Sequence, residues 1–118
     1  MKKIEAFIRP HKQEELLRAL AHSNVLSHDS AHGVTVLEAS GLGQQQGHSE
    51  VYSGVEQHLG LVPKRMVILY VADDQVESVV KLIREKAYTG QYGDGRIAVL
   101  PLDNLVRIRT GEAGEGAL

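Results

Sequence analysis

The sequence predicts an α+β fold of the ferredoxin-like βαββαβ type, with an antiparallel sheet and both helices on one side of it. Three observations carry that prediction. Four short segments read as strands, two stretches between them carry helical stripes, and a chain of 118 residues holds one modest core and no second one. Residues 1–118 therefore read as a single domain.

The first strand is carried by Ile4, Ala6 and Ile8, which alternate with Lys3, Glu5, Phe7 and Arg9 until Pro10 ends it. From His11 to His22 the apolar positions become Leu16, Leu17, Leu20 and Ala21 within a segment rich in Lys, Glu, Gln and Arg, the stripe of a surface helix. Ser23 to His32 is polar and reads as a connection to a second strand over Gly33 to Ala39. A glycine- and glutamine-rich segment beginning at Gly41 then continues to about Leu61 without either period, so 43–61 is expected to be a long flexible loop.

After Pro63, the nearly continuous apolar run that ends at Val71 suits a strand covered on much of both faces. Asp73 and Asp74 stop it. Asp74, with Glu77 three residues on, is expected to cap a helix whose Val76, Val79, Val80, Ile83 and Ala87 share one face. The glycine-punctuated stretch Tyr88 to Arg96 is a turn, and Ile97 to Leu100 is the fourth strand. Leu105 to Arg109 alternates again and is expected to add a short strand at a subunit edge, followed by a small, acidic, mobile tail over 111–118. With both helices on one side, the other sheet face is bare and calls for association with further copies.

Composition narrows the function. A formal net charge of −2 gives no basic excess for nucleic acid, and the absence of cysteine removes disulfides, thiolate metal sites and thiol nucleophiles. No stretch approaches the roughly 20 apolar residues of a membrane span, and the N-terminus has no apolar signal core. The expectation is a cytoplasmic protein that neither enters a membrane nor binds nucleic acid.

Arg107 and Arg109 stand two residues apart, so on a strand their guanidinium groups project from one face. That pair reads either as an ordinary basic strand edge or as two planar forks for a polyphosphate or carboxylate. Gly90-Gln91-Tyr92-Gly93-Asp94-Gly95-Arg96 offers backbone N–H groups with little obstruction, the chemistry of a phosphate cradle, with Arg96 adding charge. It lacks the spacing of a P-loop or a dinucleotide fingerprint. His28 and His32, with Asp29 between them, are the best metal candidates, without a third ligand at a set spacing. No Ser-His-Asp set or close carboxylate pair stands out, so the chain reads as a binding protein and not an enzyme.

Taken in order, the opening Met1 to Pro10, the loop Gly41-Leu42-Gly43-Gln44-Gln45-Gln46-Gly47-His48-Ser49-Glu50, the turn Thr89 to Arg96 and the tail Arg107-Ile108-Arg109-Thr110-Gly111-Glu112 resemble the PII signal-transduction family over almost the whole chain. The resemblance implies a homotrimer that binds ATP, ADP or AMP in clefts between subunits and docks a target transporter or enzyme through its long T-loop. It implies that Gly33, Val34 and Thr35 approach the adenine and that Gly93, Asp94, Gly95 and Arg96 hold the phosphates. Arg107 and Arg109 would reach in from the adjoining subunit. Gly41, Leu42, Gly43 and Gln44 at the root of the loop would join the ligand site, Gln45 would hold a Mg²⁺ on the nucleotide phosphates, and Lys64 would take the distal carboxylate of 2-oxoglutarate.

The chain also departs from the family pattern. Gln57 replaces the tyrosine that many bacterial members modify with a nucleotide, Ser53 stands where a basic residue is usual, and Gln44 and Gln46 stand where Arg and Lys are common. Leu42 and Ala98 replace aromatics, and the Ser27 to His32 connection is several residues longer. Such changes resemble a branch found with inorganic-carbon uptake and carboxysome genes, which binds adenine nucleotides with bicarbonate. A nitrogen regulator sensing 2-oxoglutarate, and a metal-responsive trimer using His28, His32 and His48 or His58, are the alternatives.

Overall fold

The computed structural model describes residues 1–23, 33–44 and 59–118. The expectations placed on Gln45, Gln57 and the histidines at 28, 32, 48 and 58 lie outside those residues. Four strands and two helices follow in the anticipated order: β1 (Lys2–Ile8), α1 (Gln13–His22), β2 (Thr35–Gln44), β3 (Leu59–Val71), α2 (Val76–Ala87) and β4 (Arg96–Pro101). The sheet runs β2-β3-β1-β4 with every neighbouring pair antiparallel, the order a split βαβ arrangement requires.

One sheet face makes the core. Ile4, Ala6 and Ile8 of β1 and Val67, Leu69 and Val71 of β3 are buried against Leu16 and Leu20 of α1 and Val79, Ile83 and Ala87 of α2. The helical stripes and the strand alternation therefore meet, each fully buried Leu, Ile or Val contributing roughly 1.5–3 kcal/mol of transfer free energy. The opposite face has no cover among the described residues. Its cross-strand row runs Leu37, Met66, Phe7, Arg96, and Leu37 and Phe7 remain 45% and 38% exposed.

Several boundaries differ from the sequence expectation. β2 and β3 continue past their apolar segments into the glycine-rich region, to Gln44 and from Leu59, because each supplies the other's ladder. Beyond Ser40 and Pro63 this pair is a two-stranded ribbon, since β1 first pairs with β3 at Arg65. Pro63 lies where β3 has no second neighbour, so its missing donor interrupts no ladder with β1. The helix read from His11 begins as a 3₁₀ turn over Pro10–Lys12 and becomes α-helical at Gln13.

The expected Asp74 cap does not form. A 3₁₀ turn over Asp73–Gln75 precedes α2, and it is the Gln75 side chain, not Asp74, that closes it, its Oε1 accepting from the Ala72 N–H at 3.2 Å. Asp73 instead accepts hydrogen bonds from the N-terminal ammonium at 2.9 Å and Lys2 Nζ at 3.0 Å, contacts that hold its carboxyl below the usual range, the ammonium bond contributing most.

The segment expected as an edge strand, Leu105 to Arg109, also folds otherwise. Val106 forms a single antiparallel bridge with Ala113, the Gly111 N–H donates to the Arg107 carbonyl at 2.7 Å, and the Arg107 N–H donates to the Glu112 carbonyl at 2.8 Å. Gly111, at φ 74°, adopts the left-handed conformation that lets the chain turn back on itself. The tail beyond it forms a 3₁₀ turn over Gly114–Ala117, with the Gly114 N–H donating to the Leu105 carbonyl at 2.9 Å. Among the described residues no helix is long and apolar enough to cross a membrane.

Candidate functional site

Three left-handed glycines, Gly90, Gly93 and Gly95, bend the chain between α2 and β4. The bend passes beside the end of β1. A Cβ on Gly95 would stand 1.7 Å from the Phe7 carbonyl oxygen, so only glycine allows this approach. A Cβ on Gly93 would crowd the Arg9 guanidinium at 3.2 Å, which explains the second bare backbone position.

Arg9 organises the bend. The β1–β4 register pairs Phe7 with Arg96 and, extended two residues, sets Arg9 opposite Asp94; the β1–β3 register extended one residue past Ile8 and Arg65 sets it opposite Lys64. From there Arg9 donates through Nε to Asp94 at 3.0 Å and through Nη2 to the Tyr92 carbonyl at 2.6 Å. Lys64 Nζ donates to the Gly93 carbonyl. Two consecutive carbonyls are thus tied to cations, and a planar trans peptide points its N–H opposite its C=O. The N–H groups of Gly93 and Asp94 consequently face away from Arg9 and Lys64, and no turn hydrogen bond among the described residues takes them.

Asp94 fixes the bend from within. Its carboxylate accepts from the Thr89 hydroxyl, from the Thr89 N–H at 2.8 Å, from the Gly90 N–H at 2.9 Å and from Arg9. Those donors, the Thr89 hydroxyl foremost, hold the carboxyl far below the ordinary carboxylate range. These bonds turn the carboxylate into the bend and pair its charge with Arg9, so what Asp94 offers a ligand is its backbone. Partial burial, with Arg9 beside it, pushes the Lys64 ammonium below its ordinary value, against the opposing pull of Asp94.

A pH dependence follows. The Asp94 carboxyl has a lower pKa in the folded protein than the roughly 3.9 of an unfolded chain, so the folded state gains from it above about pH 4 and loses that gain as pH falls below. Acid unfolding below pH 4 is expected to be steeper in the wild type than in Asp94→Asn, which carries no titrating group there. Equal slopes of stability against pH for the two proteins contradict the arrangement.

The bend and the ribbon enclose a cleft of about 240 Å³ lined by Phe7, Ala39, Ser40, Gly41, Lys64, Gly95 and Arg96. Four residues anticipated for the ligand, Gly41, Lys64, Gly95 and Arg96, thus share one cavity. Thr35 lies further along β2, opposite Ile68, with Gly33 and Val34 just before that strand, and none of the three lines the cleft. Leu42 and Gly43 continue along the ribbon, with Leu42 74% exposed, and the backbone of Gln44 ends β2 opposite Leu59. Arg107 and Arg109 sit on the separate tail turn. Arg107 is engaged by Glu112 and by the Leu118 backbone oxygen, whereas Arg109 is exposed with no hydrogen bond or ion pair among the described residues.

Sequence reasoning passed over Arg9 and Thr89. The available signal was positional: once the βαββαβ topology is assumed, the central first strand must end beside the turn entering the fourth, and a cation there meets the acid at residue 94. Thr89 carries the weaker signal of a hydroxyl at the start of a glycine turn.

The chain resembles known proteins along its whole length. A sequence model described as nitrogen regulatory protein P-II matches residues 1–112. The nitrogen regulatory protein P-II of Mesorhizobium japonicum is 43% identical over 118 residues, all of both chains. Nitrogen regulatory protein GlnK of Escherichia coli K12 is 41% identical, and the P-II protein of Azospirillum brasilense 42%, again over the full length of each chain.

Proposed function

Because this chain belongs to the nitrogen regulatory P-II family, we propose that it is a nitrogen regulator that binds an adenine nucleotide between neighbouring copies of itself and passes that state to a partner protein through the loop joining β2 and β3. The observation that carries the reading is the shared cleft, where a basic side chain on β4, a lysine on β3 and the ribbon root meet a glycine bend with outward N–H groups. Such a bend receives phosphate oxygens, and Arg96 supplies a charge-assisted donor beside it.

The bare sheet face supports assembly. Leu37, Met66, Phe7 and Leu100 form an apolar surface that a homotrimer would cover, bringing the tail arginines of one copy toward the bend of the next. The residues present fit a nucleotide. Mg²⁺ would rest on phosphate oxygens with Gln45 as a neutral amide ligand, since no group of three His, Cys, Asp or Glu suited to a metal occurs among the described residues. Lys64, whose ammonium donates to the Gly93 carbonyl among the described residues, would exchange that bond for one to a carboxylate of 2-oxoglutarate.

Catalysis is not part of this reading. The carboxylate nearest the bend, Asp94, has its proton affinity lowered by four hydrogen bonds, which makes it a poor general base near neutral pH.

The regulator reading names nitrogen over inorganic carbon because the relatives carry nitrogen-regulatory names. Calorimetric titration with ATP, ADP and AMP, each with 2-oxoglutarate plus Mg²⁺ or with bicarbonate, tests it. Saturable ATP binding strengthened by 2-oxoglutarate is expected; strengthening by bicarbonate alone assigns the chain to carbon signalling, and absence of any adenylate binding removes the site.

A further inference from the structure

The two tail arginines, equivalent in sequence, are unlike in the fold. Arg107 Nη1 lies 3.3 Å from Glu112 Oε1 and its Nη2 donates to the Leu118 backbone oxygen at 3.0 Å. Arg109, two residues on, is exposed and has no such partner among the described residues. The Glu112 carboxylate is itself held in place: the Thr110 hydroxyl donates to Oε1 at 3.2 Å and accepts from the Glu112 N–H at 3.2 Å, while the backbone bonds of the turn fix 107 against 112. A fixed negative charge therefore occupies one of the two forks read above as the phosphate clamp.

We propose that Glu112 is a specificity-determining residue of the adenylate site, ranking nucleotides by the charge of their phosphate chain; the inference rests on the reading of Arg107 and Arg109 as that clamp. Whatever Arg107 grips must displace or share the Glu112 carboxylate. Repulsion between a fixed carboxylate and an incoming anion grows with the anion's charge, so Glu112 opposes ATP most, ADP less and AMP least. The residue thus narrows the advantage that a pair of guanidiniums would otherwise give to the longest phosphate chain. Because the pair is half-exposed, the effect is modest and fades as salt screens it.

Glu112→Gln isolates the charge, since glutamine keeps the length and an oxygen acceptor for Thr110. Calorimetry on the full-length protein with ATP, ADP and AMP at low and high salt is the experiment. The variant is expected to bind ATP roughly two- to fivefold more tightly than the wild type, with a smaller gain for ADP and almost none for AMP. That graded gain is expected to shrink at high salt, as a through-space repulsion must. Equal affinities in variant and wild type, a gain independent of phosphate number, or a loss of affinity overturns the role of Glu112 while leaving the site intact. A wild-type protein that binds no adenylate overturns both the site and this inference.

Discussion

Replacing Gly95 by alanine is expected to cost on the order of 3–5 kcal/mol of stability, placing it among the most damaging single changes available to this chain. Two penalties combine. Gly95 sits at φ 95°, where a Cβ meets its own backbone at a cost of about 1–2 kcal/mol. The new methyl would also lie 1.7 Å from the Phe7 carbonyl oxygen, a distance no rotamer relieves because the obstacle is backbone. The bend must then move away from β1, breaking the contacts from Arg9 and Lys64 that hold its carbonyls. Gly111→Ala is the matched control. Gly111 is also left-handed, at φ 74°, but nothing lies within 4 Å of its added Cβ, so only the backbone penalty of about 1–2 kcal/mol applies. Denaturant unfolding at one fixed protein concentration separates the two, and equal losses for both variants contradict the close approach of bend and strand.

The second large effect concerns ligand and not fold. Arg96→Ala and Arg109→Ala are each expected to weaken ATP binding by about 1.5–3 kcal/mol, roughly ten- to a hundredfold or slightly more, while leaving stability nearly unchanged. Both side chains are exposed in the single chain, and neither shows a hydrogen bond or ion pair among the described residues, so truncation removes no internal contact. Arg107→Ala is different, because that side chain also ties the tail turn to Glu112 and Leu118. Wild-type affinity in Arg96→Ala by calorimetry detaches the glycine bend from phosphate recognition.

The sequence makes legible whatever is local. Ile4, Ala6 and Ile8 announce a strand, and Val76, Val79, Val80 and Ile83 announce a helix, because their period reflects burial on one side. The ribbon of β2 and β3 is illegible for the opposite reason: glycine, serine and glutamine have little strand preference, and residues 41–44 are extended because a distant strand pairs with them. The expected Asp74 cap is replaced by a local one, the Gln75 side chain accepting from the Ala72 N–H, while the neighbouring Asp73 pairs with an ammonium 72 positions away along the chain. At the site, the glycines are readable from residue type and order and Lys64 only through the family resemblance, whereas Arg9 becomes visible through the register between β1 and its two neighbours. Asp94 looks like a ligand contact in the linear motif, yet its carboxylate is committed inside the turn. The tail reverses at Gly111, so the spacing of Arg107 and Arg109 does not put them on one strand face as alternation suggests.

The central claim is that the ligand site is shared, with the bend and Arg96 from one copy and Arg109 from the next. Subunit mixing tests it most directly: Arg96→Ala and Arg109→Ala chains are unfolded together, refolded in equal amounts and titrated with ATP. Random assembly is expected to pair an intact bend with an intact Arg109 in about a quarter of the clefts, restoring that fraction of wild-type sites although neither variant has any alone. A mixture that binds no better than the two separate variants contradicts a site built between copies.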